Sequence, residues 1–111
     1  MLVLNGRKAY RVAGDSMLPT LKSGDTVLTD PRAEIYVGDI VAADHPYKQS
    51  VKLIKRVESI RPDGRYILVG DNLGESTDSR QFGSIARHDI AGKVVCRSDS
   101  RFINGFLAHR P

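Results

Sequence analysis

A chain of 111 residues is long enough for one domain with a hydrophobic core that needs neither disulfides nor a metal. Its apolar share of 41% and charged share of 27% are typical of a soluble globular protein and exclude a disordered or fibrous chain. The net charge of +4 arises without a run of Lys or Arg, so the sequence does not favour nucleic-acid binding.

Six short apolar segments, separated by Gly-Asp or Pro-Gly turns, predict β-strands in chain order. They cover residues 9–13, 26–29, 40–43, 50–60, 66–69 and 90–97, with a bulge expected near residues 54–55. Residues 70–83 are predicted as a polar loop and residues 102–109 as a short terminal helix. Because no βαβ alternation is visible, we expect a mostly β fold with a small, antiparallel architecture.

The sequence shows no sign of a targeting segment or of a cofactor. Residues 1–4 are apolar but too short for a signal-peptide core, and no apolar run approaches the length of a membrane span. Cys96 is the only cysteine and gives no sign of an oxidising compartment. No Cys/His spacing predicts a metal site. We therefore expect a single cytoplasmic domain over residues 1–111, with no cofactor and no metal.

Residues 14–21, Gly-Asp-Ser-Met-Leu-Pro-Thr-Leu, hold the candidate nucleophile. Pro19 would interrupt a helix or a regular strand, which places Ser16 on a tight loop or a short helical turn. A serine in such a place can attack a carbonyl, and its own N–H can help to hold an oxyanion. The alternative is that Ser16 only caps a turn.

The base that would activate Ser16 is either a histidine or a lysine. His45 and His88 lie in polar turns, and Leu18 occupies the place of the last Gly of a Gly-x-Ser-x-Gly elbow. Lys55 lies between Leu53 and Val57, on the apolar face of a predicted strand. Burial would lower its pKa and let the amine act as a base. The alternative for Lys55 is a solvated lysine on an exposed face.

Four motifs in order together resemble the boxes of type I signal peptidases. Residues 14–21 are similar to the nucleophile box, 38–41 to the next box, 54–57 to the lysine box, and 70–72 with 76–83 to the last box. The resemblance covers the chain from about Gly14 to Gly83 and implies a serine–lysine peptidase. The implied fold is a small antiparallel β-barrel-like catalytic core.

The resemblance also implies a role for each matched residue. Ser16 would be the acylated nucleophile, Lys55 the general base, and Ser76 the hydroxyl that orients the Lys55 amine. Asp78 and Arg80 would form a supporting ion pair.

Other matched residues would shape the site and the substrate cleft. Gly70 and Asp71 would shape the loop that carries Ser76. Met17 and Leu18 would lie beside small substrate residues just before the cut. Gly14 departs from the pattern of those family members that place an oxyanion-holding serine two residues before the nucleophile.

A chain this short, with no membrane helix in its sequence, most resembles the soluble maturation proteases of nickel-type superoxide dismutase. That resemblance implies removal of an N-terminal propeptide from the dismutase precursor, a protein substrate that would lie extended in the site. Signal peptidase-like cleavage of exported preproteins is one alternative. Two others are a self-cleaving repressor-like core and a catalytically inactive binding module.

Overall fold

The computed structural model describes residues 3–4, 6–48, 50–75 and 78–99. Within these residues, seven strands form one sheet in the spatial order β1-β2-β3-β7-β4-β5-β6, and every neighbouring pair is antiparallel. The strands are β1 (Val3–Leu4), β2 (Arg7–Arg11), β3 (Asp25–Asp30), β4 (Ile40–Asp44), β5 (Lys52–Ile60), β6 (Tyr66–Val69) and β7 (Ile90–Asp99). Helix α1 (Ser79–Phe82) and a 3₁₀ turn (Arg87–Asp89) lie between β6 and β7.

The predicted mostly β, antiparallel fold is confirmed. Within the described residues the sheet is open, with β1 and β6 at its two edges. Among those same residues, none of the helices has the length and apolarity needed to cross a lipid bilayer.

Strand β5 separates two apolar clusters. Leu53 and Val57, on one face, pack into a cluster that includes Leu68 of β6 and Phe82 of α1. Ile54, on the other face, packs against a second cluster. The members of this second cluster are Val12, Met17, Leu21 and Val27. Burying such side chains contributes roughly 1.5–3 kcal/mol each, so β5 is held firmly on both faces.

The hairpin between β5 and β6 forms at the predicted Pro-Asp-Gly turn. Arg61 N–H donates to Arg65 O at 2.8 Å, and Gly64 N–H donates to Arg61 O at 2.9 Å. Asp63 closes the turn by accepting from Arg65 N–H at 3.0 Å. Gly64 has φ of 85°, a left-handed conformation that favours glycine.

Three details differ from the sequence-based expectation. The bulge predicted near residues 54–55 is wrong, because the pairing of β4 with β5 is regular there and the register shift lies between Val57 and Ser59. The predicted loop of residues 70–83 contains α1. Strand β1 was not among the six predicted strands. The helix predicted for residues 102–109 lies outside the described residues.

Candidate active site

The segment that carries Ser16 is a compact turn anchored by its apolar neighbour. Leu18 N–H donates to Asp15 O at 3.1 Å, and Leu21 N–H donates to Met17 O at 2.9 Å. Met17 is only 1% exposed and packs with Val12 in the second apolar cluster. Ser16 itself is half-buried. Burial of the next residue therefore fixes the turn while leaving the serine near the surface.

The loop after β6 holds this turn from the other side. Asn72 N–H donates to Ser16 O at 2.9 Å, and Asn72 Nδ2 donates to Asp15 O at 3.0 Å. Gly70 is buried against the same carbonyl, and a Cβ at that position would lie 2.6 Å from Ser16 O. Real Cβ atoms do not approach an oxygen so closely, so the contact requires glycine. Two segments far apart in sequence thus meet at the Ser16 backbone.

Arg56 and Asp71 connect three of the sequence motifs. Arg56 Nε and Nη2 donate to the two carboxylate oxygens of Asp71 at 2.8 and 2.7 Å, and Arg56 Nη1 donates to Gly38 O at 2.7 Å. Thr20 Oγ1 also donates to Asp71, at 2.5 Å. Hydrogen bonds from Arg56, and secondarily from Thr20, hold the pKa of Asp71 below its usual range although burial opposes them. This network ties the Ser16 turn to β5, the strand that carries Lys55.

Lys55 is buried on the apolar face predicted for it. Its side chain is 4% exposed and lies between buried Leu53 and Val57, while Ile54 and Arg56 are half-buried on the opposite face. Burial lowers the pKa of the Lys55 amine; the Asp78 carboxylate raises it to a lesser degree, and the Arg80 guanidinium adds to the lowering. The local charges therefore oppose one another, and burial sets the direction of the shift.

Asp78 and Arg80 form the expected ion pair at the start of α1. Asp78 is 0% exposed and caps α1 by accepting from Arg80 N–H at 3.0 Å. Arg80 Nε and Nη2 donate to its two carboxylate oxygens at 3.0 and 2.6 Å, and Gly70 N–H donates to it at 3.1 Å. Burial alone would raise the pKa of Asp78, but the hydrogen bonds from Arg80 and Gly70 lower it to about 2.

Ser16 and Lys55 line the same cleft. It has a volume of about 570 Å³, and its lining includes residues 10–16, at and after the end of β2, and residues 51–55, at the start of β5. Gly74, Glu75 and Gln81 complete its lining. A hydroxyl and a buried amine that line one cleft can act together on an extended chain bound in it.

The remaining candidate residues that the structure describes do not line the cleft. His45 is buried against Phe82, with ring centroids 4.9 Å apart, and its Nδ1 accepts from Tyr47 N–H at 3.1 Å. The His88 side chain is 84% exposed. In the part of the chain that the structure describes, neither of these histidines lines the cleft, and neither do Met17 or Leu18. Ser76 lies outside the described residues.

Sequence reasoning gave no positioning role to Arg56, Thr20 or Asn72. All three belong to the motifs that it singled out, so a signal was present. Their partners, however, lie 15 to 57 residues away, and residue types alone do not reveal such contacts.

Comparison with known proteins shows that this molecule belongs to a class of peptidases. The chain belongs to the peptidase S24-like family, which matches residues 4–95.

The chain is similar to mitochondrial inner membrane protease subunit 1 from several organisms. The Xenopus tropicalis protein is 33% identical, over 77% of this chain and 65% of its own length. The Saccharomyces cerevisiae protein is 32% identical, over 76% of this chain and 42% of its own. The Arabidopsis thaliana mitochondrial ATP-independent inner membrane protease subunit 1a is 31% identical, over 78% and 67%. The chain thus spans less than two thirds of the first two relatives.

The predicted cytoplasmic location is wrong by this comparison. The relatives are named as protease subunits of the mitochondrial inner membrane, and none of these names indicates the cytoplasm. The sequence-based expectation rested on an absence of export signals, which is weaker evidence than the identity of related proteins.

Replacing Asp78 with alanine should lower the free energy of unfolding by about 1–3 kcal/mol at pH 7, because Gly70 and Arg80 lose their acceptor and α1 loses its cap. The pKa of Asp78 is lowered in the folded state, so the carboxylate makes its full contribution to the free energy of unfolding above the unfolded pKa of about 3.9. It is lost as the pH falls toward about 2. Urea unfolding of both proteins at several pH values measures this difference.

Asp63→Ala is the matched control, since it removes an exposed carboxylate that closes a turn. Its effect should be smaller. A difference between wild type and Asp78→Ala that stays constant from pH 7 to about pH 2 would contradict the account of Asp78.

Proposed function

We propose that this chain is the catalytic core of a serine endopeptidase that removes N-terminal segments from preproteins, as signal peptidases do. The observation that carries the proposal is that Ser16 and the buried Lys55 line one cleft. Membership of a peptidase family and the similarity to inner membrane proteases support the same activity. They favour signal peptidase-like cleavage beside a membrane over cleavage of a soluble precursor.

In the proposed reaction Lys55 acts twice as the general base. Its neutral amine takes the proton of Ser16 Oγ, and the oxygen attacks the scissile carbonyl to form a tetrahedral intermediate. The Ser16 N–H donates to the developing oxyanion. Protonated Lys55 then gives its proton to the leaving amine, which frees the C-terminal product and leaves an acyl group on Ser16. A water, deprotonated by Lys55, attacks the acyl carbon, and the proton on Lys55 passes to Ser16 Oγ as the acid product leaves.

The proposal gives the neighbouring residues positioning roles. Asp78 and Arg80 carry opposite charges near Lys55, and their effects on the pKa of its amine oppose each other, so burial keeps that pKa lowered. The network of Arg56 and Asp71 fixes the Ser16 turn relative to β5. Ser76 is proposed to orient the Lys55 amine, and Ser76→Ala should slow turnover by roughly 10- to 1,000-fold.

The nickel superoxide dismutase precursor is the less supported substrate. Its case rests on the sequence resemblance, whereas the relatives named above are membrane proteases. Both substrates require the same dyad, so only a substrate comparison separates them.

A direct test offers the purified protein two substrates. One is a preprotein with an apolar N-terminal leader in lipid vesicles, and the other is the dismutase precursor without lipid. Mass spectrometry should show the preprotein shortened at one N-terminal position, and Ser16→Ala should abolish this cleavage. Cleavage of the dismutase precursor alone would favour the maturation protease. Cleavage of neither substrate would contradict both and favour a binding module.

The pH dependence of cleavage tests the role of Lys55. Because only the neutral amine accepts a proton, kcat/KM should rise with pH through the lowered pKa of Lys55. Arg80→Gln should move this rise to higher pH, since the Arg80 charge helps to lower that pKa. Initial rates of peptide cleavage across the pH range measure both curves.

Arg65→Gln is the control for the Arg80 variant. Arg65 lies in the distant hairpin turn, where its Nε donates to Ser84 at 2.8 Å. Its curve should coincide with that of the wild type. A flat pH profile in the wild type would exclude a lysine base.

A further inference from the structure

The lining of the cleft carries charged residues of both signs. Around Ser16 the exposed charges in the lining are carboxylates, from Asp15 and Glu75. The same lining also carries two exposed cations, Arg11 at the end of β2 and Lys52 at the start of β5. The pKa of the Lys52 amine is raised mainly by its hydrogen bond to Asp44 and slightly by Tyr10. Tyr10 of β2 and Ile54 of β5 pack against the same apolar cluster, so the end of β2 lies near the start of β5.

Arg11 is the uncompensated one of these two cations. Lys52 forms an ion pair with Asp44, which neutralises its charge. Among the residues that the structure describes, Arg11 forms no ion pair, and it is exposed. The carboxylates of Asp15 and Glu75 lie toward Ser16. A peptide in the cleft therefore meets one net positive charge away from the reacting bond.

We propose that Arg11 determines part of the substrate specificity, by favouring an acidic side chain three to five residues from the scissile bond. This inference rests on the proposed peptidase function of the same cleft. Lys52 lies three positions before Lys55 on a regular strand, which is roughly 10 Å at 3.3 Å per residue. An extended peptide beside β5 has the same rise. A side chain three to five residues from the bond at Ser16 thus reaches the level of Arg11.

The expected preference is moderate, because exposed charge pairs are screened by water and salt. Exchanging a peptide Glu for Lys at this level turns an attraction into a repulsion, which should change kcat/KM by about two- to tenfold. The effect should shrink as the ionic strength rises above about 0.1 M, where the Debye length falls below roughly 10 Å. Arg11 selects the substrate in this account and takes no part in bond cleavage.

The test uses internally quenched peptides of 14 residues with Ala just before the scissile bond. Glu or Lys is placed three, four or five residues from that bond, on each side in turn. The wild type should cleave one set of Glu peptides about two- to tenfold faster than its Lys counterparts. Arg11→Glu should reverse that preference.

Lys8→Glu is the matched control, since Lys8 is an exposed cation on the same strand that does not line the cleft. It changes the net charge by the same amount and should keep the wild-type preference. Equal shifts in Arg11→Glu and Lys8→Glu, or equal cleavage of Glu and Lys peptides by the wild type, would overturn the role of Arg11 alone. Failure of the wild type to cleave any of the peptides would overturn the proposed function and this inference with it.

Discussion

Replacing Lys55 with methionine is expected to lower kcat/KM for peptide cleavage by at least about 1,000-fold while the fold is retained. Methionine keeps most of the apolar volume between Leu53 and Val57 but has no amine to accept the Ser16 proton. Ser16→Ala should cause a loss of similar size, because the nucleophile is removed. Cleavage of a quenched peptide measures the rates, and circular dichroism checks the fold.

The double variant of Ser16 and Lys55 should be hardly worse than either single variant, since the two residues act as a unit. Lys48→Met is the control, because Lys48 is exposed and precedes β5. It should leave the rate within about twofold of the wild type. Substantial cleavage by folded Lys55→Met protein would contradict the serine–lysine assignment and restore a histidine as the candidate base.

Gly70→Ala is expected to lower kcat by roughly 100-fold or more. The new Cβ would lie 2.6 Å from Ser16 O, so either the turn that carries Ser16 or the loop after β6 must move. A displacement of about 1 Å at a reacting group costs on the order of 100-fold in rate. Steady-state kinetics on the folded variant measures the effect.

Gly92→Ala separates misplacement of the site from general destabilisation. Its Cβ would lie 3.0 Å from the backbone of Asp30, in the sheet. We expect this variant to unfold at a lower temperature while the folded protein keeps the wild-type kcat. Equal losses of kcat in the two variants would show that the Gly70 contact has no specific role in positioning Ser16.

Local sequence patterns predicted the elements that carry the candidate site. The alternation of Leu53, Lys55 and Val57 placed the lysine on an apolar face, and this face is buried in the structure. The turn signal at residues 62–64 predicted the hairpin between β5 and β6. Both features depend on neighbours within a few residues, which is why a single sequence was sufficient.

Long-range features could not be predicted in the same way. The pairing of β7 with both β3 and β4 depends on how the whole sheet assembles. The close approach of Gly70 to Ser16 likewise joins residues that are 54 positions apart in the sequence, so it exists only in the folded chain. Asp78 is a typical N-cap residue and so gave one sign of helix α1. Four residues, however, are too few for a periodic signal.

Covalent labelling of Ser16 tests the central claim most directly, because it needs no knowledge of the natural substrate. A serine-reactive acylating agent is incubated with the wild type and with Lys55→Met, and the modified residue is located by mass spectrometry. The account predicts rapid acylation of Ser16 in the wild type and at least about 100-fold slower acylation in Lys55→Met. Acylation of Ser16 at equal rates in both proteins, or labelling at other residues only, would contradict it.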